Sequence, residues 1–433
     1  MIERSLADWL AYLERLHPVS IDMGLERSRE VARRLGLGRP APRVVTVTGT
    51  NGKGSTCAFL AALMGAQGLR VGVYSSPHLL RYNERVRIDG SEVDDAALCQ
   101  AFAVVEAARG GITLTYFEMG TLAAFWLFER AGLDAAVLEV GLGGRLDAVN
   151  LVDADVAVVT SIALDHAEWL GDTRDSVAFE KAGIFRAGRP VVCGDPDPPM
   201  PLLERAASLD APLYRRGPDY ELIPGEGAWS WRGCGARGER LELEGLPLLD
   251  LPVESAALAL QVHALSGLPW EAGSIAQALG ATRLGGRLER RRIRWQGRRL
   301  SFLLDVGHNP HAAAYLARRL AARPPAGRRL AVFGLLADKD LSGVLEPLLP
   351  QVRYWAVAPL PTPRSLPAEG LAAALRERGA SVAVCVDVAE ALQAQCQRAV
   401  EGDEILVFGS FYCVAEALEW LSRQEEKGDG LAG

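Results

Sequence analysis

The stretch VVTVTGTNGKGST, residues 44–56, decides the fold of the chain. Its first four residues are β-branched and predict a buried strand. Glycines at 49, 52 and 54 let the backbone turn tightly and approach an anion closely. Ser55 and Thr56 then open an alanine-rich apolar segment through Leu63, which predicts a helix. A strand, a glycine loop and a helix start in this order predict a phosphate-binding loop, because loop amides and the helix dipole both favour an anion.

Within this loop, Lys53 offers a point charge to the terminal phosphates of a nucleotide, and Ser55 offers a hydroxyl to Mg²⁺. The common phosphate-loop formula has four residues between its first glycine and Gly-Lys, and Ser or Thr directly follows the lysine. Here only two residues separate Gly49 from Gly52, and Gly54 lies between Lys53 and Ser55. The alternative is a glycine-rich turn with a chance lysine. The density of glycine, lysine and hydroxyl residues favours ATP binding. The residues that we predict to hold ATP here are Gly49, Thr50, Asn51, Gly52, Lys53, Gly54, Ser55 and Thr56.

Length and composition restrict the class of protein. A chain of 433 residues exceeds one ordinary core, so two domains are expected. The net charge of −7 argues against non-specific nucleic-acid binding. Seven scattered cysteines without a CxxC pair predict reduced thiols and no zinc site. No apolar run approaches the roughly 18 residues that span a bilayer, so we expect a cytoplasmic protein without a membrane partner.

The order of strands and helices predicts an α/β fold in two domains. Near-continuous apolar runs between 44 and 160 alternate with helical segments, which is typical of a parallel sheet covered on both faces. Residues 213–252 predict small antiparallel strands at the rim. After a hinge at 281–289, strands from 300 to 408 alternate with helices again. We therefore predict an N-terminal P-loop-type ATPase domain with a mostly parallel sheet (1–284) and a smaller Rossmann-like α/β domain (285–433).

Seven segments in this order resemble the bifunctional dihydrofolate synthase/folylpolyglutamate synthase family, relatives of the muramyl-peptide ligases. The segments are TGTNGKGS (48–55), SSPH (75–78), TYFE (115–118), LEVGLGGRLD (138–147), SIALDH (161–166), EKAGI (180–184) and LDVGHNP (304–310). The resemblance implies an ADP-forming ligase that joins glutamate to dihydropteroate and lengthens the glutamate tail of reduced folates. Such a ligase first phosphorylates the acid. Magnesium and fixed cations then stabilise the negative charge that accumulates at the reacting centre.

The resemblance also assigns metal ligands and catalytic residues. It implies one Mg²⁺ at Ser55, Ser76 and Glu139 and a second at His166, although a lone histidine after a strand is more often structural. Lys53, His166 and Lys181 are the implied catalytic residues. The family's matching lysine is carbamylated, which requires a neutral, buried amine at Lys181, whereas most such lysines are solvated. K⁺ is a further implied cofactor.

Three groups of residues, called here the pterin segments, resemble the family's surface for the pterin ring. They are Asp22, Gly24 and Leu25; Thr115, Tyr116, Phe117 and Glu118; and Leu146, Asp147 and Ala148. Phe117 offers a stacking face, and Asp22 or Asp147 can accept ring N–H groups. For Phe117 alone, core packing is the competing interpretation. The loop around Asp22 favours dihydropteroate as a substrate.

The C-terminal half carries further implied contacts to ATP at Arg287, Asp305 and His308. Residues 290–292 are three arginines that could form a solvated basic face. Ser255 stands where the family usually has an asparagine that contacts ATP. A serine retains one hydrogen bond but lacks the second group of the amide. A basic group in the C-terminal domain or near the hinge is expected to meet the carboxylates of the incoming glutamate.

Three alternatives stay open at this stage. The chain could be a monofunctional member of either type, or a ligase of muramyl type with a different acid. From another class, it could be a non-catalytic nucleotide-binding protein, although intact Lys53, Glu139, His166 and Lys181 argue against that. We expect a monomer that binds small molecules and no nucleic acid.

Overall fold

A computed structural model describes the backbone of residues 4–429 and the side chains of residues 4–425. The chain divides into two compact units, Met1–Arg283 (unit 1) and Leu284–Gly433 (unit 2). The division lies one residue before the boundary predicted at 284/285. Each unit has its own sheet and its own hydrophobic core.

Unit 1 contains ten helices and eleven strands among its described residues. The helices are α1 (Leu6–Leu13), α2 (Glu26–Leu35), α3 (Lys53–Gly65), α4 (Asp95–Arg109), α5 (Tyr116–Ala131), α6 (Ala167–Leu170), α7 (Arg174–Ala182), α8 (Met200–Ser208), α9 (Val253–Leu265) and α10 (Ala272–Ala281). The strands are β1 (Arg43–Thr48), β2 (Val71–Tyr74), β3 (Val86–Ile88), β4 (Ser91–Glu92), β5 (Ala135–Glu139), β6 (Val156–Val159), β7 (Val191–Cys193), β8 (Leu213–Arg215), β9 (Glu221–Pro224), β10 (Trp229–Cys234) and β11 (Arg240–Leu246). Short 3₁₀ turns occupy Tyr82–Arg85 and Ala148–Leu151.

The main sheet of unit 1 has the order β4-β3-β2-β5-β1-β6-β7-β8. Strands β2, β5, β1, β6, β7 and β8 are parallel, and β3 and β4 form an antiparallel edge. All five residues of β5 are buried, as are five of the six in β1, because helices cover both faces. The predicted fold class, with a mostly parallel sheet, is confirmed.

Two details of unit 1 differ from the sequence prediction. Helix α3 begins at Lys53, two residues before the predicted start, because Gly52 serves as its N-cap with φ 89°. The region 213–252 does contain the small antiparallel sheet β11-β10-β9, but its first strand, β8, instead extends the main sheet in parallel with β7. Local composition does not specify which sheet a three-residue strand joins.

Unit 2 contains five helices and six strands among its described residues. The helices are α11 (Pro310–Ala322), α12 (Leu341–Leu345), α13 (Ala368–Glu377), α14 (Val388–Arg398) and α15 (Phe411–Asp429), with a 3₁₀ turn at Leu349–Gln351. The strands are β12 (Glu289–Trp295), β13 (Arg298–Asp305), β14 (Arg329–Phe333), β15 (Tyr354–Val357), β16 (Val382–Val384) and β17 (Glu404–Phe408). The sheet order is β12-β13-β17-β14-β15-β16, with every pair parallel except β12–β13. This confirms a second α/β domain.

Strand β12 was missed by the sequence prediction, which began the second domain's strands at 300. Residues 290–292 pair with β13, and Ile293 on the same strand is buried. Arg290 forms an ion pair of 2.8 Å with Glu404. The arginines are therefore part of an edge strand, where exposed charge discourages pairing with another chain.

None of the helices in the described part of the chain is long and apolar enough to cross a membrane.

Candidate active site

The candidate active site lies at the carboxyl edge of the unit 1 sheet, where β2, β5, β1 and β6 are neighbours. Glu139 is the last residue of β5, and the glycine loop 49–52 follows β1. Ser76 comes two residues after β2 ends. His166 comes seven residues after β6 ends and directly precedes α6. Open α/β sheets bind their ligands at this edge.

Two glycines of the loop are required by its geometry. Gly49 has φ 145°, and a Cβ there would lie 1.8 Å from Oγ1 of Thr160. Gly52 has φ 89°, and a Cβ would meet Ser255 Oγ at 3.2 Å. Thr160 Oγ1 also donates a 2.7 Å hydrogen bond to the Asn51 carbonyl, which fixes the loop against β6. The short spacing therefore gives a tight turn, which the bond from Thr160 fixes in place. The turn leads directly into the N-terminus of α3.

Lys53 and the first turn of α3 carry the polar groups of the loop. The Lys53 ammonium donates to the carbonyls of Gly49 at 3.0 Å and Thr50 at 3.4 Å, so it lies over the loop itself. Ser55 is buried, and so is Thr56, whose Oγ1 finds no hydrogen-bond partner among the described residues. An unsatisfied buried hydroxyl beside a helix N-terminus fits a nucleotide phosphate as its partner.

Ser255 lies beside the same loop. It is in the first turn of α9, is buried, and its Oγ donates a long 3.5 Å hydrogen bond to the Gly52 carbonyl. Helices α3 and α9 pack together, which brings the two helix starts to one place. The position fits the nucleotide contact implied by the resemblance, and the 3.5 Å distance leaves the hydroxyl weakly held.

The expected metal ligands combine one carboxylate with hydroxyl groups. Glu139 is buried, and its Oε2 accepts the Ser76 amide at 3.3 Å, so these two residues are neighbours. The described residues contain no cluster of three His, Cys, Asp or Glu side chains suited to a metal. The donor set is therefore not that of a closed protein cage. It fits Mg²⁺, which takes one or two carboxylates and completes its shell with phosphate oxygens and water.

His166 differs from the other expected ligands in its exposure. It is exposed, has φ 53°, and its backbone amide donates a 2.9 Å hydrogen bond to Asp165 Oδ1. A non-glycine residue in the left-handed region costs of order 1 kcal/mol, and such strain is frequent at functional sites.

Lys181 is a buried lysine on α7, only 3% exposed. Burial first, and then the nearby Lys53 ammonium, lower the pKa of Lys181 to about 7. At neutral pH a large share of its amine is therefore uncharged. The solvated-surface interpretation of this lysine is wrong, and the requirement for carbamylation stated from the sequence is met.

The structure brings the three pterin segments together. The Phe117 ring packs over Gly141, where a Cβ would lie 2.6 Å from it, and its centroid is 5.8 Å from that of Tyr74. Met23 approaches the loop of Asp147, since a Cβ on Gly143 would lie 3.5 Å from the Met23 Cε. Gly24, Leu146 and Phe117 are half-buried, whereas Leu25 and Ala148 are buried.

Glu118, a predicted pterin contact, accepts hydrogen bonds with both carboxylate oxygens from groups of the protein itself. Its Oε2 accepts the Thr115 amide at 2.8 Å in a capping box of α5. Its Oε1 accepts Arg27 Nη2 at 3.1 Å and the Ser28 hydroxyl at 3.0 Å. Arg27 also donates to the Asp22 carboxylate at 2.5 Å. The buried Glu118 carboxylate therefore ties the Asp22 loop to the start of α5.

Asp147 is buried beside the glycines of its loop. Its oxygens accept the Leu142 amide at 2.8 Å and the Val149 amide at 2.9 Å. Burial raises the pKa of Asp147 to about 6, against the lowering effect of these amides. A carboxylate held in this way still has lone pairs to accept a substrate N–H group.

Tyr116 borders a buried cation that the sequence analysis did not single out. The guanidinium carbon of Arg85 lies 5.5 Å from the Tyr116 ring centroid and 5.2 Å from that of Tyr82. Arg85 Nε donates to His78 Nδ1 at 2.8 Å. Burial and the Arg85 charge lower the pKa of His78 to about 4, so the imidazole is neutral.

Three expected nucleotide residues lie together in unit 2 at the end of β13. Asp305 is the last residue of that strand, and its carboxylate accepts the amides of Gly307 at 2.8 Å and Leu288 at 3.0 Å. Burial raises the pKa of Asp305. Arg287 and His308 meet at one ring, because Phe411 lies 4.8 Å from the Arg287 guanidinium carbon and 6.3 Å from the His308 ring.

Sequence reasoning missed Arg27, Thr160, Arg85 and Phe411. Each acts through a contact with a segment distant in the chain, and none lies in a recognisable motif of its own. The spacing of a single sequence carries no signal for such contacts. The sequence offers one hint for Arg85, which ends the short polar run Asn83-Glu84-Arg85 a few residues after the SSPH segment.

Comparisons with known proteins agree with this geometry. Residues 47–194 match the family model of the Mur ligase middle domain, and residues 286–411 match that of the Mur ligase glutamate ligase domain. A dihydrofolate synthase/folylpolyglutamate synthase of Escherichia coli (strain K12) is 48% identical over 423 residues, which cover 98% of this chain and 97% of that protein.

Two solved structures are similar along nearly the whole chain. An Escherichia coli protein in complex with DHPP and ADP aligns with a TM-score of 0.90 and 48% identity, covering 97% of this chain and 98% of the other. A bifunctional folylpolyglutamate synthase/dihydrofolate synthase with Mn, AMPPNP and L-glutamate bound aligns with a TM-score of 0.88 at the same identity and coverage.

Proposed function

The chain belongs to the dihydrofolate synthase/folylpolyglutamate synthase family, and we propose that it catalyses both reactions named there. It is an ADP-forming ligase that joins L-glutamate to 7,8-dihydropteroate and adds further glutamates to reduced folates. The observation that carries the proposal is the meeting of the glycine loop with Lys53, Glu139 and the pterin segments in one unit.

The first step in this proposal transfers the γ-phosphoryl group of ATP to a carboxylate oxygen of the acid, and ADP leaves. The loop amides of residues 49–54 and the N-terminus of α3 hold the phosphates. Lys53 leaves the carbonyls of Gly49 and Thr50 to pair with the transferring group, where its charge stabilises the transition state. Thr56 Oγ1 gains a phosphate oxygen as its partner.

In the second step the glutamate amine attacks the acyl carbon, and phosphate leaves with the oxygen that it took from the acid. Mg²⁺ would be held by Ser55, Ser76 and Glu139, and it supplies positive charge to the phosphates. A second Mg²⁺ at His166 is part of the proposal. A solved structure of a relative has Mn, a divalent metal, and AMPPNP bound.

We propose that Lys181 carries a carbamate, formed when its neutral amine attacks CO₂ and releases one proton. The carbamate converts a buried cation into an anion, and it would help to organise magnesium and the bound acid. The burial of Lys181 and its pKa of about 7 support this assignment. K⁺ is a further proposed cofactor, on the family resemblance alone.

Acid recognition is assigned to the pterin segments. Phe117 offers one face to the heterocycle, and Asp22 and Asp147 accept its N–H groups. Glu118 acts indirectly, because its oxygens accept hydrogen bonds from Arg27 and from the Thr115 amide at the start of α5. In unit 2, we propose contacts to the nucleotide from three residues, which are Arg287, Asp305 and His308.

We further propose a monomer that works in the cytoplasm. All seven cysteines are free thiols, which agrees with a reducing compartment.

Phosphate release by the purified chain tests the proposed function. We expect release with ATP, glutamate and either dihydropteroate or tetrahydrofolate, and little release when glutamate is left out. Release with only one acid would make the chain monofunctional. ATP binding without release for either acid would contradict the proposal and favour a nucleotide-binding protein.

A further inference from the structure

Residues 75–85 form a tightly bonded turn after β2, and the turn carries one buried cation. The Glu84 carboxylate accepts the backbone amides of residues 79–81 at 2.7–2.8 Å. The buried Asn83 side chain donates outside the turn, to the Val93 carbonyl at 2.8 Å. These bonds fix the turn, so the side chain that ends it, Arg85, is positioned before any ligand binds.

Arg85 is only 9% exposed, yet it has no acidic partner among the described side chains, those of residues 4–425. Its neighbour Glu84 is committed to the three amides of the turn. The groups around the guanidinium are neutral: the His78 ring, which accepts its Nε–H, and the rings of Tyr82 and Tyr116. A buried charge without a counter-charge destabilises a protein, so its retention calls for a ligand that supplies the charge.

The position of Arg85 indicates which ligand supplies this charge. It bonds to His78, two residues beyond the proposed metal ligand Ser76. Its guanidinium carbon also lies 5.5 Å from the ring centroid of Tyr116, which belongs to the pterin segments. Arg85 thus lies between the part of the site assigned to phosphoryl transfer and the part assigned to the heterocycle. The acid substrates span the same two parts, with the ring at one end and the carboxylate at the other.

We propose that Arg85 binds the carboxylate of the acid substrate, a benzoate in dihydropteroate and a glutamate side chain in a folate. This inference rests on the proposed function. A guanidinium presents two parallel N–H groups that match a carboxylate. Because both acids carry a carboxylate at the reacting end, one arginine serves both activities. The Tyr116 ring, whose centroid lies 5.5 Å from the guanidinium carbon, adds a cation–π contact that helps to hold the side chain in place.

Steady-state kinetics of Arg85→Gln and Arg85→Lys test this assignment. For Arg85→Gln we expect the KM for dihydropteroate and for tetrahydrofolate to rise about 10- to 100-fold, the range for losing hydrogen bonds to a charged group. The KM for ATP stays within twofold. Arg85→Lys keeps the charge without the fork and gives a smaller rise. The control is Arg81→Gln, in the same turn, whose side chain is exposed and pairs with Asp95 at 3.3 Å.

Thermal unfolding separates substrate binding from a structural role. Since Arg85 has no acidic partner in the described part of the chain, Arg85→Gln should leave the unfolding midpoint of the unliganded protein unchanged or raise it. A KM for both acids within twofold of the wild type would overturn the proposal. So would a lowered midpoint together with an equal loss for acid, ATP and glutamate. If Arg85→Gln does not fold, Arg85→Lys must still show the selective rise for the acids.

Direct binding of dihydropteroate, without ATP or glutamate, distinguishes this inference from the proposed function. If the wild type releases no phosphate with either acid, the ligase proposal fails. Arg85 is then judged by calorimetry alone, with wild type and Arg85→Gln titrated with dihydropteroate. Weaker binding by about tenfold or more supports the carboxylate contact, and equal binding contradicts it.

Discussion

The glycine loop and the pterin segments are the two halves of the candidate site, and they are built in different ways. The loop is one continuous stretch, and its shape follows from glycines with positive φ and from one close approach, Gly49 to Thr160. The pterin segments come from three distant parts of the chain and are held by side chains, chiefly Glu118 and Arg27. In the glycine loop, a functional side chain can be replaced while the loop keeps its shape. The surface formed by the pterin segments loses its shape when the side chains that connect the segments are replaced.

The largest expected effect is on the loop. Lys53→Ala should lower kcat about 10²–10³-fold, because a fixed charge at the transferring phosphoryl group is lost. The unfolding midpoint should hardly change, since the bonds that Lys53 makes within the described residues go to carbonyls of its own loop. Phosphate release and thermal unfolding measure the two quantities. Retained turnover would remove Lys53 from the mechanism.

The matched change in the pterin segments is Glu118→Gln, for which we expect stability and function to fall together. The substitution weakens buried hydrogen bonds to Arg27 and to the α5 cap, at a cost of about 2 kcal/mol in the free energy of unfolding. The KM for dihydropteroate should rise, because the Asp22 loop is released. Urea unfolding and steady-state kinetics report these changes.

Glu30→Gln is the control for that experiment, because it removes an exposed carboxylate of α2 that pairs with Arg33 and Arg34. Exposed pairs contribute little, so stability and KM should stay near the wild-type values. A Glu118→Gln protein with normal stability and a raised KM would instead make Glu118 a direct substrate contact.

A smaller effect, of several-fold, is expected from pH through Lys181. Burial holds the pKa of this amine near 7, below its usual 10.5, so the neutral form that reacts with CO₂ prevails above pH 7 and is lost below it. Added bicarbonate should therefore stimulate turnover more strongly below pH 7 than above. Labelling with ¹³C-bicarbonate should give a carbamate resonance that is absent in Lys181→Arg. Turnover indifferent to bicarbonate at every pH, with no such resonance, would exclude the carbamate.

The smallest effect belongs to Ser255→Asn. Ser255 Oγ reaches the Gly52 carbonyl only at 3.5 Å, and an amide adds a second hydrogen-bonding group at this position. The KM for ATP should fall about two- to tenfold, the range for one neutral hydrogen bond. An unchanged or higher value would mean that another residue holds the nucleotide here.

The difference between the two halves also explains how far the sequence could be interpreted. Strand β1, the glycine loop and the sheet class followed from local patterns, because glycine, β-branching and apolar runs act locally. The family resemblance added Glu139 and Lys181, and only the structure showed that Lys181 is buried. The hydrogen bonds from Glu118 to Arg27 and Ser28 were not foreseen, and Arg85 was overlooked, because both depend on contacts between separate segments.

The most direct test of the central claim follows the oxygen atoms of the acid. Dihydropteroate labelled with ¹⁸O in both carboxylate oxygens is turned over with ATP and glutamate, and the released phosphate is analysed by mass spectrometry. Phosphoryl transfer to the acid predicts one ¹⁸O in each phosphate and the other in the amide carbonyl of dihydrofolate. Phosphate without the label, formed in step with dihydrofolate, would contradict an acyl-phosphate ligase.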